Sequence, residues 1–426
     1  MRRISAASLI LLIIAVSSIY LPMAYRKLFI PDTEKTHLLF SPVTKKFVYR
    51  EQLIGDIPEE VRSKADDHHS EIAYGDQDGN YYGRLDFERM LPFIYSKNMD
   101  MLGLLPIEID SRSFDIEEIK RGRQVMEMTP EKLRKHSTRP SVWPLLETDS
   151  GQARLVLPDD VFRMTDDRME FVNADSNQVD RELTEKFTRA LLKEGFSFPA
   201  RSVNSRVTVL KPFDDGVFIV DHDYDVFHVK RVKGEPFVRK TSIDRDIKTR
   251  YVLVSENLRK VYHGLLIGQD GRAWLLGFDD YETIPLPLEG YNPDEMDLKI
   301  LTDPLYVTAT WSDETTIHGL AMDRSYRPVA SFDHTMSRAA DTRAKKIYRA
   351  LFPFSLDLGH RRRGNMEISF RLGDRTAVVG IVAALTALLT VGSSIRKRRP
   401  KPYEIILVAL TGLYGLIAVF LVDPER

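Results

Sequence analysis

The chain reads as a mainly β external domain, β-propeller-like in its repeat, carried by three transmembrane helices. Ile4–Tyr25, Thr376–Ile395 and Ile405–Val422 hold no charged residue, and each can cross about 30 Å of hydrocarbon as a helix. Between the first two, short alternating stretches rich in Val, Ile, Tyr and Phe are broken by Asp, Asn, Gly and Pro, as at 38–49, 71–85, 217–229, 265–276 and 305–311. A polar turn between strands recurs at Asp76, Asp175, Asp221, Asp270 and Asp323, with spacings of 99, 46, 49 and 53 residues. A period of about 50 residues suits a four-stranded propeller blade, and the external segment would hold about six. Asp- and Gly-rich turns serve any β-protein, so another β-rich sandwich or a split β-domain is the alternative.

Local chemistry sets each element. Residues 4–25 form a signal anchor, because the flank Ser18–Ala24 lacks an A-x-A cleavage pattern and the apolar run is long for a signal peptide. Residues 26–372 form the external domain, with helical insertions near 115–136, which is charged and amphipathic, and near 181–194, where Asp180 caps the start and Gly195 stops the helix. Residues 376–395 and 405–422 are the second and third spans. The loop joining them, 396–401, carries Arg396, Lys397, Arg398, Arg399 and Lys401, which should stay cytoplasmic beside Arg2 and Arg3. The chain is then a protein of the bacterial inner membrane with its large domain periplasmic. Arg361, Arg362, Arg363, Arg371 and Arg375 precede the second span and run against that rule; Arg361–Arg363 read as a solvated connector or a contact for anionic headgroups. Small residues four apart, Gly380/Ala384 and Thr411/Gly415, let helix backbones approach, either on each other or on a partner's helices.

Composition removes several chemistries. With 43% hydrophobic and 29% charged residues the chain is globular rather than disordered, and with no cysteine it has neither disulfides nor thiolate sites. The net charge is −1, and without the basic loop and the chain ends the remainder is mildly acidic, which excludes a nucleic-acid binder. The motifs G-x-x-x-x-G-K-[ST], H-E-x-x-H and G-x-S-x-G are missing, so no catalytic residue and no cofactor is assigned. Asp221, Asp223 and Asp225 have the spacing of a calcium loop, as do Asp76, Asp78 and Asn80, but Val226 and Tyr81 stand where a glycine is needed. Both read as hairpin ends. Metal binding stays open: Asp66, Asp67, His68 and His69 with Glu71 are a dense ligand-type cluster in a polar stretch, and His222, His228 and His263 lie at strand ends that a propeller would bring to one channel.

The segments Leu91-Pro92-Phe93-Ile94-Tyr95, Pro144-Leu145-Leu146-Glu147-Thr148, Phe196-Ser197-Phe198-Pro199-Ala200, Lys211-Pro212-Phe213-Asp214-Asp215-Gly216, Val226-Phe227-His228-Val229-Lys230 and Tyr262-His263-Gly264 resemble those of an uncharacterised family of Bacteroidetes membrane-anchored proteins. That resemblance implies gene neighbourhoods encoding ABC-transporter ATPases and permeases, and it carries over no catalytic residue. The expected function is a non-enzymatic, membrane-anchored accessory subunit of an ABC-type transport system. The alternative is a membrane-tethered periplasmic enzyme or ligand-binding sensor with a dispersed site.

Overall fold

The computed structural model describes residues 2–64, 71–133, 141–149, 151, 154–360, 366–392, 394 and 399–422. They form two compact units, Met1–Glu34 with Ala340–Arg426, and Lys35–Ala339.

The larger unit is β-rich and built from several separate sheets. A three-stranded sheet of β1 (His37–Phe40), β2 (Phe47–Gln52) and β3 (Ile72–Asp76) comes first, and the hairpin β4 (Ile107–Ile109) with β5 (Arg112–Phe114) follows. Between and after these lie α2 (Glu59–Lys64), α3 (Arg84–Met90), α4 (Ser96–Met101), α5 (Ile116–Gly122), β6 (Gln124–Met128) and α6 (Pro130–Leu133). A second three-stranded sheet holds β7 (Asp160–Met164), β8 (Met169–Asn173) and β9 (Val179–Asp180), and α7 (Arg181–Lys193) packs on it. Two four-stranded meanders follow: β10 (Ser202–Ser205), β11 (Val217–Val220), β12 (Val226–Val232) and β13 (Glu235–Lys240), then β14 (Thr249–Val254), β15 (Tyr262–Gly268), β16 (Ala273–Gly277) and β17 (Thr283–Leu286). The last meander, β18 (Asp297–Thr302), β19 (Val307–Ser312), β20 (Thr316–Met322) and β21 (Pro328–Thr335), takes β6 as a fifth strand beside β18.

Successive sheets share cores. Phe162, Phe171, Phe187 and Phe227 join β7–β9 and α7 to the first meander; Phe218, Val252 and Leu266 join the first to the second; Leu265, Leu275, Ile300 and Ala309 join the second to the third. Phe40 and Phe47 with Ile317 and Ala321 join the third to β1–β3. The series does not close, so the unit is not a propeller. Its recurrent signal came from turn chemistry. Asp76, Asp221, Asp270 and Asp323 each accept a main-chain N–H two residues on, and Asn173 does so in the turn that contains Asp175. The Asp221 and Asp270 turns link second and third strands of their meanders, whereas the Asp323 turn links third and fourth. Equal spacing thus joined turns that hold different places in their sheets.

The expected helix at 115–136 is also revised. Asp115 caps α5, its carboxylate accepting the Glu118 N–H at 2.7 Å, but the helix ends at Gly122 and the chain turns into β6. There Gln124, Met126 and Met128 are buried in alternation against β18. In α7, Asp180 accepts the Leu183 N–H at 3.0 Å, and Phe187 and Leu191 are buried.

The smaller unit contains α1 (Arg2–Phe29), α8 (Arg343–Leu351), the hairpin β22 (Phe354–His360) with β23 (Met366–Leu372), α9 (Ala377–Ala387), α10 (Pro402–Thr411) and α11 (Leu413–Leu421). Among the described residues one helix is long and apolar enough to cross a membrane, Ala6–Phe29, and only 17% of its apolar window is buried within the protein. The expectation of three spans is therefore corrected. The second run is α9, which continues as a π-helix over Leu388–Gly392. The third is broken at Gly412, whose φ of +57° favours glycine. The chain folds back there, so Gly415 lies against Leu407 and Val408 of α10, and Val408 and Val419 share a core with Ala384 and Leu388. Neither half, at about 1.5 Å per residue, reaches across a bilayer.

Candidate functional site

Two sequence features create an unusual polar pocket of side chains between the first and second meanders. The Asp214-Asp215-Gly216 segment enters β11 close beside β12: a Cβ on Gly216 would lie 2.3 Å from the Val229 carbonyl oxygen. On β15, Tyr262 faces Gly277 and Gly264 faces Leu276, so His263 is the extra residue of a β-bulge. Bulges re-aim side chains. This one brings His263 to Asp215, while His228 stands directly opposite Phe218 in the β11–β12 register.

Asp215, His228 and His263 are 1%, 1% and 2% exposed. Among the described residues they are the one group of three acid and histidine side chains whose donor atoms lie within 4.8 Å of one another. His263 Nδ1 meets Asp215 Oδ2 at 2.5 Å, and Lys230 Nζ donates to Asp215 Oδ1 at 2.7 Å. His228 Nε2 lies 2.5 Å from the Asp215 carbonyl oxygen, which can only accept, so this nitrogen carries the proton. His228 Nδ1 is then the acceptor for the Tyr281 hydroxyl at 2.9 Å.

Burial pushes the His228 imidazole down to about 3, overcoming the attraction of Asp215. Burial pushes the Asp215 carboxyl upward, but the His263 hydrogen bond and the electrostatic attraction of its neighbours, the Lys230 ammonium among them, outweigh it and hold the group below the usual carboxylate range. His263 stacks on Phe278 at 4.4 Å and lies nearly parallel to Tyr281 at 5.0 Å, with Phe218 at 5.2 Å.

A second buried cluster adjoins the first through Asp214. Lys211 Nζ lies 2.6 Å from both Asp214 Oδ1 and Glu256 Oε1, with all three side chains at most 3% exposed, and also donates to the Arg206 carbonyl at 3.0 Å. Burial raises the Glu256 carboxyl, and Lys211 offsets part of that rise. Thr148 Oγ1 reaches Asp214 at 3.3 Å. Apart from Tyr281, the first cluster thus takes its members from three of the six family-type segments, and a fourth meets the second.

Chemically the arrangement is a carboxylate holding an imidazole, with the opposite nitrogen, His263 Nε2, buried and without a hydrogen-bond partner. Such a nitrogen accepts a proton when a substrate reaches it; here the surrounding rings must move first. The distances are those of hydrogen bonds, not of a metal centre. Two ligands on one tetrahedral zinc lie about 3.3 Å apart, against 2.5 Å for Asp215 and His263, and the Lys230 ammonium opposes a dication.

Of the residues singled out from sequence, His228 and His263 come together, with ring centroids 5.0 Å apart. His222 remains exposed in its turn. Asp215, Lys230 and Tyr281 were missed as site residues; the adjacent acids followed by glycine at 214–216 were the available signal. The carboxylate of Asp221 accepts the Asp223 and Asp225 N–H groups at 2.9 Å each, and Asp225 pairs with Lys240 and Arg245. Asp66, Asp67, His68, His69, Arg361–Arg363 and Arg396, Lys397 and Arg398 lie outside the described residues. Lys401 stands before α10, its N–H donating to Glu404 Oε2 at 2.8 Å, and Arg399 precedes it. The small residues meet this chain's own helices. A Cβ on Gly380 would lie 1.9 Å from the Ala350 carbonyl of α8, Ala384 is buried, and Thr411 Oγ1 donates to Leu407 O at 2.6 Å.

No curated protein matches the chain. The family described as Domain of unknown function (DUF4857) matches residues 37–322, roughly two thirds of the sequence and all within the β-rich unit. The two clusters and the segments that build them lie inside that match, and the chain therefore belongs to the DUF4857 family.

Proposed function

We propose that this protein is a non-enzymatic, membrane-anchored accessory subunit, held in the bacterial inner membrane by α1 with its β-rich unit in the periplasm. The observation that carries the proposal is the double use of α1. Most of its apolar surface is uncovered, as a lipid-facing helix requires, while its last turns are tied into the C-terminal segment. Tyr25 packs on Tyr348 and Phe352, its hydroxyl donates to the Ala344 carbonyl at 3.2 Å, and Arg26 pairs with Asp357. A helix removed after translocation has no need of such contacts. Mass spectrometry of protein extracted from membranes is expected to recover the peptide covering residues 4–25. A mature chain beginning beyond Ala24 would end the anchor reading.

The buried ionic clusters support a role without catalysis, because their charged groups are paired with one another. The partners, a permease and an ATPase of an ABC-type transporter, follow from the resemblance. Gly380 and Gly415 are occupied within the chain, so partner contact is expected on other surfaces. Purification from native membranes in a mild detergent is expected to bring down both transporter subunits. Isolation of this chain alone, under conditions that keep a known permease complex whole, would sink the proposal. His263 Nε2 favours a second reading, a tethered enzyme or binding protein; a bound molecule retained in native mass spectrometry and lost in His263→Ala would establish it.

A further inference from the structure

We infer that the region where α1 ends is a collar seated in the headgroup layer of an anionic phospholipid bilayer, with α8 supplying cations and the β22–β23 hairpin inserting apolar side chains. The inference rests on the membrane-anchor reading. α8 holds Arg343, Lys345, Lys346 and Arg349 and no acidic residue. Although Asp341 lies beside Lys346 and Arg349, and Asp374 beside Arg349, the segment keeps a net positive charge. Its Tyr348 and Leu351 pack toward α1. A short amphipathic helix with a cationic face is suited to lie along a lipid surface.

The hairpin supplies a separate observation. Ile368, Phe370 and Leu372, at alternate positions on one face of β23, are 67%, 59% and 79% exposed. Across the pair, Leu356 faces Phe370 and Phe354 faces Leu372, so the apolar face spans both strands. Among the described residues no third strand joins this sheet. An apolar sheet face left open to water is unfavourable. Its surroundings identify the occupant as lipid: Leu28 and Phe29 at the end of α1, and Val378, Val379 and Val382 at the start of α9, are exposed on the same unit. Tyr25 and Tyr348 sit beside Arg26, whose guanidinium lies 5.9 Å from the Tyr348 ring. Tyrosines and cations at the end of an apolar helix are interface anchors. The opposite side of the hairpin is polar, with Arg371 and Arg26 both paired to Asp357.

Phe370→Trp in the full-length protein tests this, in vesicles of equal parts phosphatidylglycerol and phosphatidylcholine, with the parent protein subtracted as background. The added emission is expected to be quenched by lipids brominated near the headgroup and shielded from acrylamide. Quenching should fall by about twofold or more in phosphatidylcholine alone, or when Lys345 and Lys346 are both replaced by Glu, because the cations hold the segment against the anionic surface. Emission open to acrylamide and untouched by brominated lipid would overturn the collar, and quenching indifferent to lipid charge would overturn its anionic preference. Leu11→Trp separates the two readings. If Trp at position 11 is quenched by deep-brominated lipid while Trp at position 370 is not quenched by lipid brominated near the headgroup, the anchor stands and the collar falls; if neither position is quenched by either lipid, the anchor itself is wrong.

Discussion

Replacing His228 with glutamine is expected to remove roughly 2–3 kcal/mol of the stability that the wild-type chain loses between pH 6.5 and pH 4.5. In the unfolded chain this histidine takes up a proton near 6.5, whereas burial delays protonation in the folded protein to about 3. Between those values the unfolded state binds one more proton than the native state, so stability falls as the pH falls. Above 6.5 the contribution is complete; below about 3 it is gone. The groups facing the ring are Asp215, Lys230, His263 and Tyr281. Of these Asp215 acts in the same direction but later, because its lowered carboxyl pKa removes stability only below the ordinary carboxylate range. Glutamine can still donate to the Asp215 carbonyl and accept from Tyr281, so the variant should fold. Urea titrations of the full-length protein in detergent, repeated across this pH range, give the slope. Parallel curves for wild type and His228→Gln would mean that His228 is solvated and that the two meanders do not enclose it.

The sequence revealed chemistry that acts within a few residues and concealed chemistry that depends on distant pairing. Asp115 and Asp180 were readable as caps because a cap bonds to a donor three residues away. The same short range misled at the acidic turns: an aspartate closing a turn looks alike after the second strand and after the third. β6 was hidden because its five residues follow a helix directly, and its partner, β18, lies far along the chain. The runs at 376–395 and 405–422 carried the hydropathy of spans, but hydropathy has no term for a reversal at one glycine such as Gly412. His228 and His263 were visible as histidines in apolar strands. Their meeting point was not, because it needs Asp215 from a loop 48 residues before His263 and an offset of one residue in the β15–β16 register.

That offset leads to the second large effect: Gly264→Ala is expected to cost about 3 kcal/mol or more, or to prevent accumulation of folded protein. The bulge that turns His263 toward Asp215 presses the Gly264 backbone against β14. A Cβ built there lies 1.7 Å from the Leu253 carbonyl oxygen, 2.8 Å from its carbonyl carbon and 3.3 Å from Val254 Cα. All three are main-chain atoms, so no rotamer change gives relief. Either β14 and β15 separate, exposing Val252, Val254 and Leu266 of the shared core, or the bulge is lost and β15 slips by one residue. A one-residue slip sends alternate side chains to the opposite face, and His263 then leaves Asp215. Gly277→Ala is the control, since Gly277 lies across the same bulge, opposite Tyr262, and its nearest neighbours would stand at an ordinary 3.4 Å. Thermal melting of the two full-length variants is expected to place Gly277→Ala near wild type and Gly264→Ala many degrees below it. If the two melt together, β14 does not pass where a side chain at 264 would have to be, and the bulge cannot be what holds His263 against Asp215.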